Sequence, residues 1–175
     1  MRKTQHGFTL TELMTALSVL AVLTALATPS FRQFSANSRI SASANSLVSA
    51  LAIARSEALH QSMPVAVCAS VDSLTCATNA TDWSGGWIVF TDNSGTKGQM
   101  DSTDTVVQAW PKPGGAVTVS LVATDTYIRF DARGMKIPVS VATFTVSAGG
   151  CQGTNASRIA LTVTGSPQST KVACP

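Results

Sequence analysis

Charge is scarce in this sequence. Asp, Glu, Lys and Arg make up 12% of its 175 residues, against roughly a quarter in an average soluble domain. A net charge of +3 supplies no broad basic surface for nucleic acid. Aromatic residues are also few, at 6%, so the core must be built largely from small aliphatic side chains. Histidine occurs at His6 and His60, both far in sequence from any cysteine. There is no Cys-x-x-Cys pair, no Gly-x-Ser-x-Gly elbow, no Walker loop and no dinucleotide fingerprint. These absences leave no catalytic constellation, no cofactor to expect and no metal set. Asp92-Asn93-Ser94-Gly95 with Asp101 and Asp104 hints at calcium, but the spacing lacks the closing bidentate glutamate of an EF-hand. A hairpin loop is the expectation there.

What the chain does have is apolar sequence, 45% overall, concentrated near its start. No charged residue occurs from Leu13 to Thr28, and the stretch from Phe8 to Phe31 is long enough to cross a hydrocarbon core of roughly 30 Å as a helix. Arg2 and Lys3 precede it and would stay cytoplasmic. An ordinary secretory signal is one reading, with Ala25-Leu26-Ala27 as its small-x-small cleavage site; a plain membrane anchor is another. Neither explains Glu12, which sits inside the apolar run. An ionised carboxylate there is expensive and implies a partner.

Four cysteines, Cys68, Cys76, Cys151 and Cys174, make an even count that reads as two disulfides in an oxidising compartment. Of the three pairings, Cys68 with Cys76 closes a short loop and Cys151 with Cys174 ties down the tail; that pairing is preferred.

Past Phe31 the helical pattern continues. Ile40, Ala44, Leu47, Leu51, Ala54 and Ala58 recur every three or four residues and form one apolar stripe, which Pro64 ends. A helix from about Phe8 to Gln61 would be roughly 80 Å long; two helices broken between Pro29 and Arg32 are the alternative. From Val65 the period changes to that of strands, expected at 65–69, 86–91, 105–109, 117–122, 127–130, 143–147, 158–164 and 171–174. Turn-rich segments separate them, including Gly165–Ser169. The fold expected is α+β, one long helix packed on an antiparallel sheet.

The opening Gly7-Phe8-Thr9-Leu10-Thr11-Glu12 resembles the processing site of type IV prepilins and type II secretion pseudopilins. That resemblance implies a leader of residues 1–7, cut by a prepilin peptidase between Gly7 and Phe8. It also implies N-methylation of Phe8, an assembly salt bridge from Glu12 and a helix kink at Pro29. The physics agrees: the amine freed at Phe8 needs a counter-charge in apolar surroundings, and pairing offsets the desolvation of both ions. Thr11 departs from the Ile or Val usual in the family. Removal of Arg2 and Lys3 leaves ten basic against nine acidic residues. Residues 8–31 would then be the transmembrane or filament-core helix, and 32–175 the amphipathic half plus a periplasmic β-sheet domain.

A second cluster narrows the resemblance. Ala54-Arg55-Ser56-Glu57-Ala58, then Pro64-Val65-x-Val67-Cys68, then Trp83-Ser-Gly-Gly-Trp87-Ile-Val-Phe90 with Asp92-Asn93-Ser-Gly95, and finally Ile128-x-Phe130 and Gly134, resemble the FimT/FimU/GspH group of minor pilins and pseudopilins. Trp83, Trp87 and Phe90 read as core or rim packing, and Arg55 and Glu57 as pairs fixing the helix end. The resemblance implies a structural minor pilin of the FimU kind, with a secretion pseudopilin and a DNA-binding pilin of the FimT kind as alternatives. Its partners would be other minor and major pilins, the peptidase and, before assembly, a bacterial inner membrane. DNA-binding members carry a C-terminal Gly-Arg-x-Arg pattern, where this chain has Gly165-Ser166-Pro167-Gln168. Arg129, Arg133, Lys136 and Lys171 are the remaining candidate DNA contacts, too scattered for more than weak, salt-sensitive binding, so DNA is not favoured. Mass spectrometry of the mature protein is expected to find an N-methylated Phe8 at its start. A polypeptide beginning after Ala27, or one that keeps residues 1–7, would overturn this reading of the N-terminus.

Overall fold

In a computed structural model of the chain, the described residues are 9–175 without 79 and 94, and the side chains of 26–29 are also left aside. Helix α1 runs from Leu10 to Gln61, 52 residues without interruption, or about 78 Å. It is one helix, and the alternative of two helices broken between positions 29 and 32 does not hold. Thr9 caps its start with extended φ and ψ of −81° and 151°. Ser62 ends it in the left-handed region at φ 54°, two residues before Pro64.

The two halves of α1 meet different surroundings. In the first, Leu13, Met14, Leu17, Leu20 and Leu23 are each more than half exposed, and nothing else among the described residues covers them. An 18-residue window with a mean hydropathy of 1.9 has none of its residues buried, so this segment is long and apolar enough to cross a membrane. In the second half every member of the stripe, Ile40, Ala44, Leu47, Leu51, Ala54 and Ala58, is buried. Ala50 and Ser43 join them, because small side chains on the flanks let the strands approach the helix closely.

Nine strands follow: β1 (Val65–Ala69), β2 (Gly86–Thr91), β3 (Val106–Pro111), β4 (Val117–Ala123), β5 (Tyr127–Phe130), β6 (Lys136–Ile137), β7 (Ala142–Ala148), β8 (Ala156–Leu161) and β9 (Pro167–Val172). They form two antiparallel sheets rather than one, in the orders β3-β2-β1-β5-β6 and β4-β7-β8-β9. α1 packs against both. One core joins the helix stripe to Val65, Val67, Val89 and Phe130 of the first sheet and Val119, Phe144 and Ile159 of the second.

The first sheet is covered on both faces. All of β1 and β2 is buried, because Ala66, Cys68, Ile88 and Phe90 on the outer face lie beneath Cys76, Met100 and Tyr127. Strands covered on both sides read as continuous apolar runs, hence Val-Ala-Val-Cys-Ala and Trp-Ile-Val-Phe. In the second sheet β4 alternates buried and exposed along its length, the signature of one solvated face. Trp83 links the two: its ring meets Phe144 edge-on at 4.8 Å, and its backbone N–H donates to Val119 O at 2.7 Å. Leu121 N–H donates to Thr81 O, so the segment before β2 laces the edge of β4.

The strands depart most from the sequence pattern at β6 and at the last hairpin. β6 has two residues, too few to leave a periodic signal. The last hairpin turns at Thr162–Ser166, where Gly165 N–H donates to Thr162 O and Thr162 N–H to Ser166 O, so β8 and β9 both start earlier than expected. Gly165 has φ 81°, and a Cβ there would come within 2.6 Å of the Phe130 ring; the turn is placed by that close approach. Phe144→Ala is expected to cost about 3–5 kcal/mol, since it removes a fully buried ring from the junction of the sheets. Denaturant unfolding of the full chain in detergent checks it through a lowered midpoint with an unchanged slope.

Candidate assembly site

The expected cleavage and methylation positions, Gly7 and Phe8, lie outside the described residues. Glu12 is described, and the geometry at the head of α1 explains how it is held. Glu12 N–H donates to Thr9 Oγ1 at 3.3 Å, while Thr9 N–H and Thr9 Oγ1 donate to Glu12 Oε2 at 3.1 and 3.0 Å. This reciprocal capping box satisfies donors that the first helical turn leaves unpaired, and the carboxylate also lies at the positive end of the helix dipole. The residue remains exposed, and among the described residues no cation pairs with it. A fixed anion on a bare apolar helix is thus ready to receive a cation from outside the chain. Thr9 was not singled out from sequence, although Thr-x-x-Glu before an apolar run is the signature that would have found it. α1 continues through position 29, but the kink assigned to Pro29 falls on a side chain outside the description.

The cysteines are joined as Cys68–Cys76 and Cys151–Cys174, with Cα atoms 5.6 and 5.8 Å apart. The first bond closes the loop after β1. Asp72 caps that loop, accepting from the N–H groups of Thr75 and Leu74 at 2.8 and 2.9 Å. Those bonds and the Thr75 hydroxyl hold its carboxyl well below the usual range. The second bond ties the tail after β9 to the turn after β7. At the helix end Arg55 Nη1 donates to Ser166 Oγ at 2.9 Å, and Glu57 accepts from Gln61 at 2.8 Å.

The four cations named as DNA contacts do not form one surface. Arg129 is turned inward: its Nε donates to Asp92 Oδ2 at 2.5 Å and its Nη2 to Asp92 O at 2.9 Å, with the two side chains 11% and 1% exposed. Lys136 is buried, and its Nζ donates to Pro138 O, Ser140 O and Ser140 Oγ at 2.8–3.0 Å. Desolvation lowers its pKa, against a smaller opposing pull from Asp125. These two are structural cations, a correction to the expected group, because each is consumed by partners inside the domain. Arg133 is exposed and paired with Asp131 at 3.0 Å. The Asp131 carboxyl is held below the usual range chiefly by the Met135 N–H, with Arg133 helping. Lys171 is exposed and donates to Asn155 O at 3.3 Å.

The acidic loop after β2 is likewise internal. Asp92 also accepts from Gly98 N–H at 2.9 Å, and Asp104 accepts from the N–H groups of Asp101 and Asn93 at 3.0 and 3.3 Å. Its carboxylates brace the loop. Among the described residues no cluster of His, Cys, Asp and Glu has the arrangement of a metal site.

A bare apolar helix headed by a capped glutamate, continuing into a helix packed on two disulfide-tied antiparallel sheets, defines a pilin-like subunit. The family model for the type II transport protein GspH matches residues 43–168, and that for the prokaryotic N-terminal methylation motif matches residues 2–28. The chain belongs to the GspH family, and is a minor pilin-type subunit of a type IV pilus or a pseudopilus. Two crystal structures of the type IV minor pilin FimU from Pseudomonas aeruginosa share its fold at 20% identity. Their TM-scores are 0.57 and 0.55, over 74% of this chain and 86% and 91% of those chains. No curated protein sequence matches it. Asp92→Ala is expected to cost about 3 kcal/mol, because it strands the Arg129 guanidinium in a largely buried site. Denaturant unfolding at neutral pH checks this, with Asp125→Ala or Glu57→Ala, half-buried carboxylates that form no ion pair among the described residues, expected to cost far less.

Proposed function

We propose that this chain is a structural minor pilin that takes part in type IV pilus assembly, in a priming or tip complex. The observation that carries the reading is Glu12, an exposed carboxylate fixed by Thr9 at the head of a helix whose apolar half has no partner among the described residues. The leader of residues 1–7 orients the precursor in the inner membrane until the peptidase cuts after Gly7. The helix of residues 8–31 then moves from lipid into a bundle of like helices. That exchange costs little, since both surroundings are apolar. Glu12 pairs with the N-methylated amine of a neighbour's Phe8 and sets the axial register, and the sheet domain stays in the periplasm to meet other pilins. The role is one of assembly, with no bond chemistry carried out by this chain.

A pseudopilus of type II secretion is the second reading, favoured by the description of the matching family model. The same helix and domain serve both. A deletion strain separates them: loss of surface pili with secretion intact supports the pilus, and the reverse supports the pseudopilus.

Glu12→Ala is expected to leave leader removal intact and to lower incorporation into filaments about tenfold or more, because the amine then enters the bundle without its counter-charge. Immunoblots of sheared filaments, beside mass spectrometry of the membrane pool, make the measurement. Equal incorporation of mutant and wild type would remove the pairing from the model.

A further inference from the structure

Where α1 leaves its apolar half and enters the domain, it carries cations that the chain does not pair. Arg32 and Arg39 are exposed and seven residues apart, so they stand on nearly the same side of the helix. Ala42, Ser43 and Ser46 continue that side and face Pro113 and Gly114 across a small pocket. Arg39 lies on the same loop, because a Cβ on Gly115 would collide with its guanidinium. Lys112 opens this loop and is exposed. Three cations therefore share one flank, at the end of the domain from which the apolar half emerges. The turn after β7 belongs to that end too, since Gly149 N–H donates to Ala116 O. Arg55, bonded to Ser166, marks the opposite end, about 24 Å further along the helix.

Other cations of the domain are spent on internal partners, as Arg55, Arg129, Arg133 and Lys136 are. Among the described residues, Arg32, Arg39 and Lys112 have no hydrogen bond or ion pair. Lys97 and Arg158 are unpaired as well, but they stand apart, in the loop after β2 and in the middle of β8. No acidic side chain occurs at positions 13–56, 112–124 or 132–175, so neither the helix flank nor the loops beside it supply an anion. Asp82, the carboxylate on which Lys112 acts electrostatically, is already held by the N–H and hydroxyl of Ser84.

The helix itself sets where these cations stand relative to a bilayer. Counted from Leu10, about 20 residues cover a hydrocarbon core of roughly 30 Å, which then ends near position 30. Arg32 falls about 3 Å beyond it, in the headgroup layer, and Arg39 about 13 Å beyond it. Long basic side chains reach back toward that layer, and Lys112 stands beside Arg39. The exposed Phe31 and Phe34 carry the apolar surface up to the same level. Headgroup phosphates are thus the anions within reach of this flank, and their attraction for basic residues extends over about one Debye length.

We propose that, before assembly, Arg32, Arg39 and Lys112 form a seat for anionic phospholipid headgroups that holds the 112–116 loop at the bilayer surface. The proposal rests on the membrane-anchored minor-pilin reading above and adds the class of lipid and the residues that meet it. Departure of the helix into a filament breaks these contacts.

The test uses the full chain in bilayer discs of phosphatidylcholine, alone or mixed with phosphatidylglycerol. Amide hydrogen exchange of residues 112–117 is expected to slow when phosphatidylglycerol is present. Native mass spectrometry after mild detergent extraction reads which lipid stays bound. Arg32→Gln, Arg39→Gln and Lys112→Gln together are expected to lower phosphatidylglycerol retention about tenfold or more, since each cation near an anionic surface is worth about fivefold. Lys97→Gln, Arg133→Gln and Arg158→Gln together remove the same charge from elsewhere on the domain and are expected to leave retention unchanged. Arg2 and Lys3 are common to all forms, so the comparison isolates the flank. Two triple variants that behave alike, or a loop whose exchange ignores phosphatidylglycerol, overturn the headgroup seat and leave the minor-pilin reading standing. Duplex DNA bound through the same three cations, with no lipid preference, assigns the flank to nucleic acid and also overturns it. Failure of the wild-type chain to insert into the discs overturns both.

Discussion

One helix must satisfy two solvents, and everything else in the molecule follows from that constraint. The first half of α1 exposes its leucines and valines from Leu10 to Leu23, while the second buries a narrow stripe under two sheets. An apolar surface of that length is stable against lipid or against other helices and unstable in water. The single carboxylate in that half is tolerable because the Thr9 capping box and the helix dipole stabilise it. On the function proposed, assembly is an exchange between two apolar environments, directed by that one charge.

The domain at the other end holds the helix rigidly enough to present that half. α1 touches both sheets, so it acts as the shared wall of a single core, and Trp83 closes the seam between the sheets against Phe144. Around this core the few charged residues are mostly used for fastening. Arg129 and Asp92 join β5 to the loop after β2, Lys136 gathers the carbonyls around Ser140, and Arg55 ties the helix end to the last hairpin. In a chain with so little charge, cations used in this way are unavailable to phosphates, and for Arg129 and Lys136 this weakens the case for DNA.

Much of this was legible in the residues. The helix stripe from Ile40 to Ala58 is a helical-period pattern that burial matches residue by residue. β1, β2 and β5 lie where the apolar runs end in turns. The pattern failed where the signal is not periodic: two-residue β6, and the β8–β9 turn that Gly165 places by its contact with Phe130. It could not divide the strands between two sheets, because alternation says which side of a strand is apolar and nothing about its neighbour. The inward turn of Arg129 and Lys136 was equally invisible. A basic residue in a strand looks the same whether it faces water or a buried carboxylate.

What the sequence by itself determined is local: where the helix begins and ends, which of its faces is apolar, and that a carboxylate stands in an apolar run. These depend on residues within a few turns of one another, and spacing records them directly. The tertiary structure alone decided how the strands divide into two sheets, which cations are spent on internal partners, and which strands stand at the sheet edges. Those outcomes come from contacts between segments tens of residues apart, whose energies depend on distances in space that no spacing along the chain encodes.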